Sequence, residues 1–166
     1  MDIFGRVVDP QGRAQLAERF HGLHAGAEAV LQPILAAVEG LDFAARRRTP
    51  LIERDLARLG RRPPEPCPMV PPASMPEALG LLYVLEGSSL GGRVIRKKLL
   101  KVGQDMTGLG FLDPYGAAVS DRWRSFLAIL DRECPPTARG RGTAAVRGAL
   151  RGFERARTWL RAPETV

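Results

Sequence analysis

The stretch ALGLLYVLEGSSLGGRVIRKKLL, residues 78–100, has the apolar spacing of a long core helix, but glycine and serine interrupt it. A glycine in a helix interior costs about 1 kcal/mol relative to alanine, so Gly87, Gly91 and Gly92 together cost about 3 kcal/mol. Exposed helix backbone has two common uses. Either another backbone packs closely against it, or a flat ligand lies directly on it. The spacing alone leaves both uses open.

A phosphate-binding loop is a third interpretation of the same residues. Gly87 and Gly92 have the GxxxxG spacing of such loops, but Arg93 and Val94 follow where a lysine and a hydroxyl residue are required. The surrounding pattern is helical and no strand precedes the first glycine. The sequence therefore disfavours a phosphate loop.

The composition indicates one folded domain. The chain has 166 residues, of which 45% are hydrophobic and 26% are charged, as in ordinary globular proteins. No apolar run is long enough to span a bilayer, and the first residues lack the pattern of a signal peptide. Cys67 and Cys134 have neither metal-ligand nor disulfide-framework spacing, so we expect no metal site and a reducing, cytoplasmic compartment.

The net charge of +7 comes mainly from arginine and raises the question of an anionic partner. One interpretation is a surface for nucleic acid, an acidic protein or a carboxylate-bearing ligand; the other is solvated arginine on helix faces. The chain has no recognition-helix motif and no interleaved aromatic residues. These features disfavour nucleic acid as the partner.

Apolar spacings of three and four predict helices through the first half of the chain. Residues 11–39 form one pattern, with a kink expected at Pro33. Asp42 is a candidate cap for a short helix that reaches Arg48, and Thr49 is a candidate cap for a further helix that Gly60 ends. Seven prolines then mark an extended connector over residues 61–76.

The second half of the chain contains three more predicted helices. Ser74 with Glu77 forms a capping box that begins the glycine-containing helix, which runs to about Lys101. A glycine-rich loop, residues 103–118, leads to a helix capped by Ser120. A last helix spans residues 143–161, and we expect its apolar side chains to point inward: Val146, Leu150, Phe153 and Leu160.

No segment alternates with the period of a strand. The prediction is an all-α single domain, residues 1–166, with five or six helices and a distinct N-terminal segment, residues 1–13. Glu86 lies among apolar residues of its helix, and a buried unpaired carboxylate is costly. We therefore expect an arginine of another helix to pair with it.

Several segments of the chain resemble bacterial heme oxygenases of the biliverdin-producing type. YVLEGSSLGGRVIRKKL, residues 83–99, is similar to the distal helix that crosses one face of heme in that family. Other segments resemble the family in its order along the chain: RFHGLHAGAEAVL (19–31), DFAARRRTPLIERDLARLG (42–60), the proline-rich connector, WRSFLAILD (123–131) and FERARTWL (153–160). The resemblance covers nearly the whole chain from about residue 14.

The resemblance implies a heme oxygenase-like helical bundle and a set of heme contacts. Gly87, Gly91 and Gly92 would form the backbone roof of the heme pocket. Ser88 stands where many members have an acidic side chain that orders water, and its hydroxyl can donate and accept without carrying a charge.

The resemblance also implies an activity and two further site residues. Heme would be both substrate and cofactor, cleaved with O₂ and an electron donor to biliverdin, CO and iron. His24 matches a position in the family's distal water network, which makes it and Ser88 the candidate catalytic residues. Arg124 matches a basic residue that meets a heme propionate, and its planar guanidinium suits a carboxylate. His21 is expected on the polar face of its helix.

The N-terminus departs from the family pattern. Members begin with a helix that carries the histidine ligand of the heme iron, whereas no histidine precedes His21 here and the residues before about 14 correspond to a linker. Heme iron needs an axial ligand such as His, Cys, Met or Tyr. Two explanations stay open: the protein lacks that helix, or the sequence as given lacks an N-terminal piece that carries it. If the helix is truly absent, we expect a homodimer to cover the apolar surface that it would bury.

Two alternative functions stay open on the sequence. One is a noncatalytic heme oxygenase-like protein that binds a tetrapyrrole, such as biliverdin, or a protein partner. The other is a basic helical adaptor for nucleic acid or an acidic protein.

Overall fold

A computed structural model describes residues 3–161, and this part of the chain is helical without a strand. Five of its helices have ten or more residues, as the sequence predicts, and two are shorter. The helices are α1 (Ile3–Val8), α2 (Pro10–Leu35), α3 (Phe43–Arg46), α4 (Thr49–Arg58), α5 (Met75–Lys101), α6 (Val119–Glu133) and α7 (Arg141–Arg161). Two single 3₁₀ turns, Gly110–Leu112 and Gly116–Ala118, lie in the glycine-rich loop.

The beginnings of the two longest helices follow from local capping. Asp9 accepts a hydrogen bond from the amide of Gly12 at 2.7 Å, so α2 begins at Pro10, within the segment that the sequence analysis set apart as N-terminal. The predicted cap of α5 is confirmed, because Ser74 accepts from the amide of Glu77 at 3.4 Å. The reciprocal half of the predicted capping box is displaced by one residue: the Glu77 carboxylate accepts from the amide of Ala73, before the cap, at 2.9 Å.

Three predicted caps are wrong. Asp42 occupies the cap position of α3 but makes no capping hydrogen bond there. Thr49 is the first residue of α4, and the carboxylate of Glu28, from α2, accepts the amide hydrogens at the start of that helix instead. Ser120 lies inside α6, whose cap position is Ala118. A carboxylate from a distant helix can replace a local cap, which sequence spacing cannot reveal.

Two apolar clusters form the interior. The first joins α2, α5 and α6 and includes Leu31, Leu35, Leu82, Phe126 and Ile129. The second joins α2, α4, the end of α5 and the first 3₁₀ turn, and includes Leu16, Ile52, Leu56, Leu99 and Phe111. The long helix α5 contributes to both clusters, so it is the central element of the fold.

Helices α5 and α7 pack backbone to backbone at glycines. A Cβ atom on Gly80 would lie 1.9 Å from the carbonyl oxygen of Ala145, and one on Gly148 would lie 2.0 Å from that of Glu77. Neither position has room for a side chain. Close helix packing, one of the two uses considered for helix glycines, therefore occurs at Gly80, which the sequence analysis did not single out.

The predicted inward face of α7 is wrong for three residues. Val146, Leu150 and Phe153 are each more than half exposed, whereas Leu160 packs against the second cluster. The small residues Gly148 and Gly152 face α5 because they allow the closest approach, so the larger apolar side chains point away from it. We call Val146, Leu150 and Phe153 the α7 stripe. Over the described residues, no helix has the length and apolarity needed to cross a membrane.

Candidate functional site

The C-terminal half of α5 presents an open surface of glycine and apolar side chains. A Cβ atom on Gly91 would meet nothing within 4 Å, and one on Gly87 would lie 3.7 Å from the ring of Trp123. Leu90 and Val94, on the same side of the helix, are 38% and 54% exposed. We call these four residues, Gly87, Leu90, Gly91 and Val94, the glycine face. Its exposed backbone allows a planar molecule to approach closely.

Gly92 is directed elsewhere. A Cβ atom there would lie 1.6 Å from the carbonyl oxygen of Leu112, and the residue is buried. The absence of a side chain therefore lets the loop after α5 pack against the helix. Of the three glycines predicted to roof a pocket, the structure places Gly91 on the open surface, Gly87 partly buried beside the ring of Trp123, and Gly92 against this loop.

Ser88 is half-buried beside the glycine face. Its hydroxyl donates to the carbonyl oxygen of Leu85 at 2.7 Å and accepts from Nη1 of Arg48 at 2.8 Å. Arg48 comes from the start of α4, so this bond ties two helices together. The hydroxyl is thus held by hydrogen bonds to both helices, and the residue as a whole is partly buried.

Arg48 is only 3% exposed, and its guanidinium lies between α4 and α5. Nη2 donates to the carbonyl oxygen of Leu85 at 2.8 Å and to the hydroxyl of Ser89, while the guanidinium carbon lies 5.9 Å from the centre of the Tyr115 ring. Nε has no hydrogen-bond partner among the described residues. Burial lowers the pKa of Arg48, with the charge of Glu86 acting in the opposite direction.

Glu86 forms a buried pair with an arginine of another helix, which confirms the prediction. Its carboxylate accepts from Nη1 of Arg46 at 2.8 Å and from the hydroxyl of Tyr115 at 2.7 Å. Burial, followed by the charge of Glu86, raises the pKa of Tyr115 to about 12, so its hydroxyl stays protonated and donates. Both oxygens of Glu86 are thereby occupied.

His24 is buried on the side of α2 that faces α4. Its Nδ1 lies 3.6 Å from Oε1 of Glu28, and the same carboxylate accepts from the amides of Arg48 at 2.6 Å and Thr49 at 3.2 Å. Burial lowers the pKa of His24, which keeps the imidazole neutral near pH 7. Burial would raise the pKa of Glu28, but His24 and the donors of Thr49 and Arg48 outweigh it and lower that pKa to about 2.

His21 and Arg124 lie outside this arrangement. His21 is buried rather than on a polar face; its Nε2 lies 3.6 Å from Glu53, and neither ring nitrogen has a hydrogen-bond partner among the described residues. The Arg124 side chain is 75% exposed and pairs with Asp121 one turn earlier on α6. Its described contact is therefore on the outer surface of α6 and not with the glycine face.

The residue that sequence analysis missed is Arg48, which connects the two candidate catalytic residues. Its backbone amide donates to Glu28, the neighbour of His24, and its side chain holds Ser88. The one signal in the sequence is the run Arg46, Arg47 and Arg48 directly before a helix. Arg46 and Arg48 are buried and Arg47 is not, and the run of three arginines does not indicate which of them face inward.

The site offers a flat ligand one wall and several hydrogen-bonding groups. None of the His, Cys, Asp and Glu side chains in residues 3–161 form a group of three that could hold a metal ion. Both histidines are buried within the interior around α2 and not exposed on the glycine face. The described residues thus fit contact with a planar macrocycle and supply no histidine ligand for an iron at its centre.

Comparison with known proteins identifies the family. No protein-family model matches the sequence. The chain is 37% identical to a heme oxygenase of Xanthomonas campestris pv. campestris over 138 residues, which are 79% of each chain. The chain belongs to the heme oxygenase family.

Two further comparisons agree with this family. The heme oxygenase PigA of Pseudomonas aeruginosa is 39% identical over 93 residues, which cover 54% of this chain and 46% of PigA. A crystal structure of the heme oxygenase from Neisseria meningitidis, in its NO- and CO-bound forms, superposes with a TM-score of 0.76 and 22% identity, covering 97% of this chain and 80% of that one. The helical arrangement is thus the heme oxygenase fold, as predicted.

Proposed function

We propose that the protein is a heme oxygenase that binds heme against the glycine face of α5 and cleaves it to biliverdin, CO and iron. The observation that carries the proposal is the open backbone at Gly91 in a chain that belongs to this family. Heme, when bound, supplies the iron at which electrons and O₂ react. Heme is then both cofactor and substrate.

The residues of the chain have separate tasks in this proposal. Gly87 and Gly91 let the ring approach the helix backbone, and Leu90 and Val94 give it apolar contact. Ser88 offers a hydroxyl at the edge of that surface. Arg124, exposed and paired only at the surface with Asp121, would exchange that partner for a heme propionate.

His24 contributes through its neighbours in this proposal. The neutral imidazole and the ionised Glu28 hold the backbone of Arg48 in place, and Arg48 holds Ser88. Such preorganised hydrogen bonds keep a donor in one position, so no free energy is spent on reorganising it when a ligand binds. His24 and Ser88 would act on the bound ligand through ordered hydrogen bonds, not through an exposed charge.

One observation favours a second candidate, a noncatalytic member that binds heme or biliverdin. The described residues place no histidine on the glycine face, and oxygenation requires a stable axial ligand for the iron. This candidate retains the flat binding surface and lacks the cleavage reaction.

A turnover experiment separates the two candidates. The purified protein is loaded with hemin, its Soret band is recorded, and reductant and O₂ are then added. A heme oxygenase loses the Soret band and gains the absorbance of biliverdin. Bound hemin that stays intact, or binding of biliverdin without binding of hemin, supports the noncatalytic member. If the protein changes the spectrum of neither hemin nor biliverdin on mixing, both candidates are contradicted.

We also propose the setting in which the protein acts. It folds as one domain and receives electrons from a separate donor. It works in the cytoplasm, where the reducing environment keeps free thiols such as its two cysteines reduced. A homodimer that covers the α7 stripe would remove its three exposed apolar side chains from water. Light scattering across a range of protein concentrations tests the dimer, and a mass equal to one chain throughout contradicts it.

A further inference from the structure

The α7 stripe has the spacing of a short coiled-coil seam. Val146, Leu150, Phe153 and Arg157 follow one another at intervals of four, three and four residues, which is the spacing of the seam positions in a heptad repeat. The three apolar side chains are each more than half exposed, and Arg157 is exposed as well. Within the described part of the chain, the stripe is therefore a seam without a facing helix.

Two opposite charges flank the stripe on one side. Arg147 and Glu154 are seven residues apart, which is close to two full turns, so both project from the same side of α7. Glu154 is the one acidic residue of α7, and no cation among the described side chains forms an ion pair with it. Arg147 is held loosely, since its Nε lies 3.7 Å from Glu77, which already accepts from Arg151 at 2.7 Å. Both flanking charges are thus available to a second chain.

The opposite flank of the stripe carries no charge, and this difference indicates the direction of a facing helix. Ala149 and Ala156 occupy that flank, directly before Leu150 and Arg157. In a parallel pair of helices, the charged flank of one copy faces the alanine flank of the other. In an antiparallel pair, the two charged flanks face each other. Only the antiparallel direction therefore brings opposite charges together.

An antiparallel pair also fits the apolar side chains. With Leu150 of each copy against Phe153 of the other, Val146 faces the aliphatic stem of Arg157 of the other copy. In the same register, Arg147 lies within about 3 Å, measured along the helix axis, of Glu154 of the other copy. The face is self-complementary, so contact closes after two copies. A foreign acidic helix would instead meet Glu154 with a charge of the same sign.

We propose that the protein forms a twofold dimer in which the α7 helices of two copies pack antiparallel. The α7 stripe forms the apolar seam, and two ion pairs, each between Arg147 of one copy and Glu154 of the other, fix its direction. This interface rests on the homodimer proposed above and specifies its partner helix, direction and charged contacts. It does not depend on heme binding. The seam is short, so the dimer dissociates on dilution.

Charge reversal tests the ion pairs. Sedimentation over a range of protein concentrations measures the dissociation constant of the dimer. Glu154→Arg places two arginines opposite each other and Arg147→Glu places two glutamates opposite each other, so we expect each variant to dimerise at least about tenfold more weakly. An equimolar mixture of the two variants restores an opposite charge at both contacts. It should form a mixed dimer about as tightly as the wild type.

Three controls separate this interface from general effects. Asp131→Arg makes the same change of charge at an exposed position of α6 and should leave the dissociation constant unchanged. Arg147→Glu lowers the net positive charge, so a dimer opposed only by overall repulsion would become tighter in that variant. Leu150→Gln should weaken dimerisation through loss of apolar contact. Circular dichroism checks that every variant keeps its helix content.

The results that would overturn the inference are distinguishable. A wild-type chain that stays a monomer at every concentration contradicts this interface together with the proposed homodimer, while hemin binding reports on the proposed heme oxygenase separately. A wild-type dimer that both reversals leave unchanged contradicts the antiparallel ion pairs alone. The same conclusion follows if the two reversed variants dissociate but do not associate with each other in the mixture.

Discussion

Gly91 and Gly92 are adjacent in α5, yet a side chain would meet open space at the first and the Leu112 carbonyl at the second. Gly91→Ala should therefore leave the fold intact and raise the free energy of unfolding by up to about 1 kcal/mol, since alanine favours the helix. Gly92→Ala should lower it by about 3 kcal/mol, because the loop must move away. Urea denaturation of the two variants measures both effects, and equal stabilities would contradict these different roles.

His24 should make stability depend on pH. Its pKa is lowered from 6.5 in the folded protein, so below about pH 6.5 the unfolded chain binds the proton more readily and stability falls. The pKa of Glu28 is lowered from 4.5 to about 2, so its contribution is lost only at more acidic pH, as the pH falls below 4.5. The interval between about pH 7 and about pH 5 therefore reports mainly on His24 in this pair.

We expect the free energy of unfolding of the wild type to fall between about pH 7 and about pH 5, and the fall to be smaller in His24→Gln. Urea denaturation at the two pH values measures it. The fall is measured for each protein between its own values at the two pH values. A general loss of packing in His24→Gln therefore does not affect the comparison. The same fall in both proteins would show that His24 is not held neutral by burial.

At the scale of the elements, the contact between α5 and α7 depends on glycine. Gly148→Ala would place a methyl group about 2 Å from the Glu77 carbonyl, so the two helices must separate, at a cost of about 3 kcal/mol. Gly142 lies in the first turn of the same helix with nothing within 4 Å, and Gly142→Ala should be neutral or slightly stabilising. Thermal unfolding compares the two, and a Gly148→Ala variant as stable as Gly142→Ala would refute the backbone contact.

The outer side of α7 should contribute little to the stability of the single chain. Phe153 is 53% exposed, so Phe153→Ala should change the free energy of unfolding by no more than about 0.5 kcal/mol. Phe126 is fully buried between α2, α5 and α6, and Phe126→Ala should cost about 3 kcal/mol or more. If Phe153→Ala costs as much at low protein concentration, the α7 stripe is buried within the single chain.

Across the whole molecule, sequence reasoning succeeded where the controlling interaction is local. The Ser74 cap and the length of α5 follow from neighbouring residues. The pairing of Glu86 with an arginine is a long-range success that follows from the need to neutralise a buried charge, although the sequence does not indicate that the arginine is Arg46. The order of the helices along the chain is also predicted by a local feature, the spacing of apolar residues.

It failed where a distant element decides the outcome. The inward face of α7 is set by backbone contact with α5, and larger apolar side chains on the other face gave the stronger pattern. The cap of α4 comes from Glu28, and the role of Arg48 depends on residues about 40 positions away along the chain. The local spacing of residues in the sequence reveals neither the Glu28 cap nor the contacts of Arg48.

The central claim is that the open backbone at Gly91 is the surface on which heme lies. Hemin titration of Gly91→Leu, followed by the Soret band, tests it most directly, and Gly142→Leu serves as the control because both glycines are helical with nothing within 4 Å. We expect Gly142→Leu to bind hemin as the wild type does and Gly91→Leu to bind at least about tenfold more weakly, a loss of about 1.4 kcal/mol. Equal hemin affinity in all three proteins would contradict the claim.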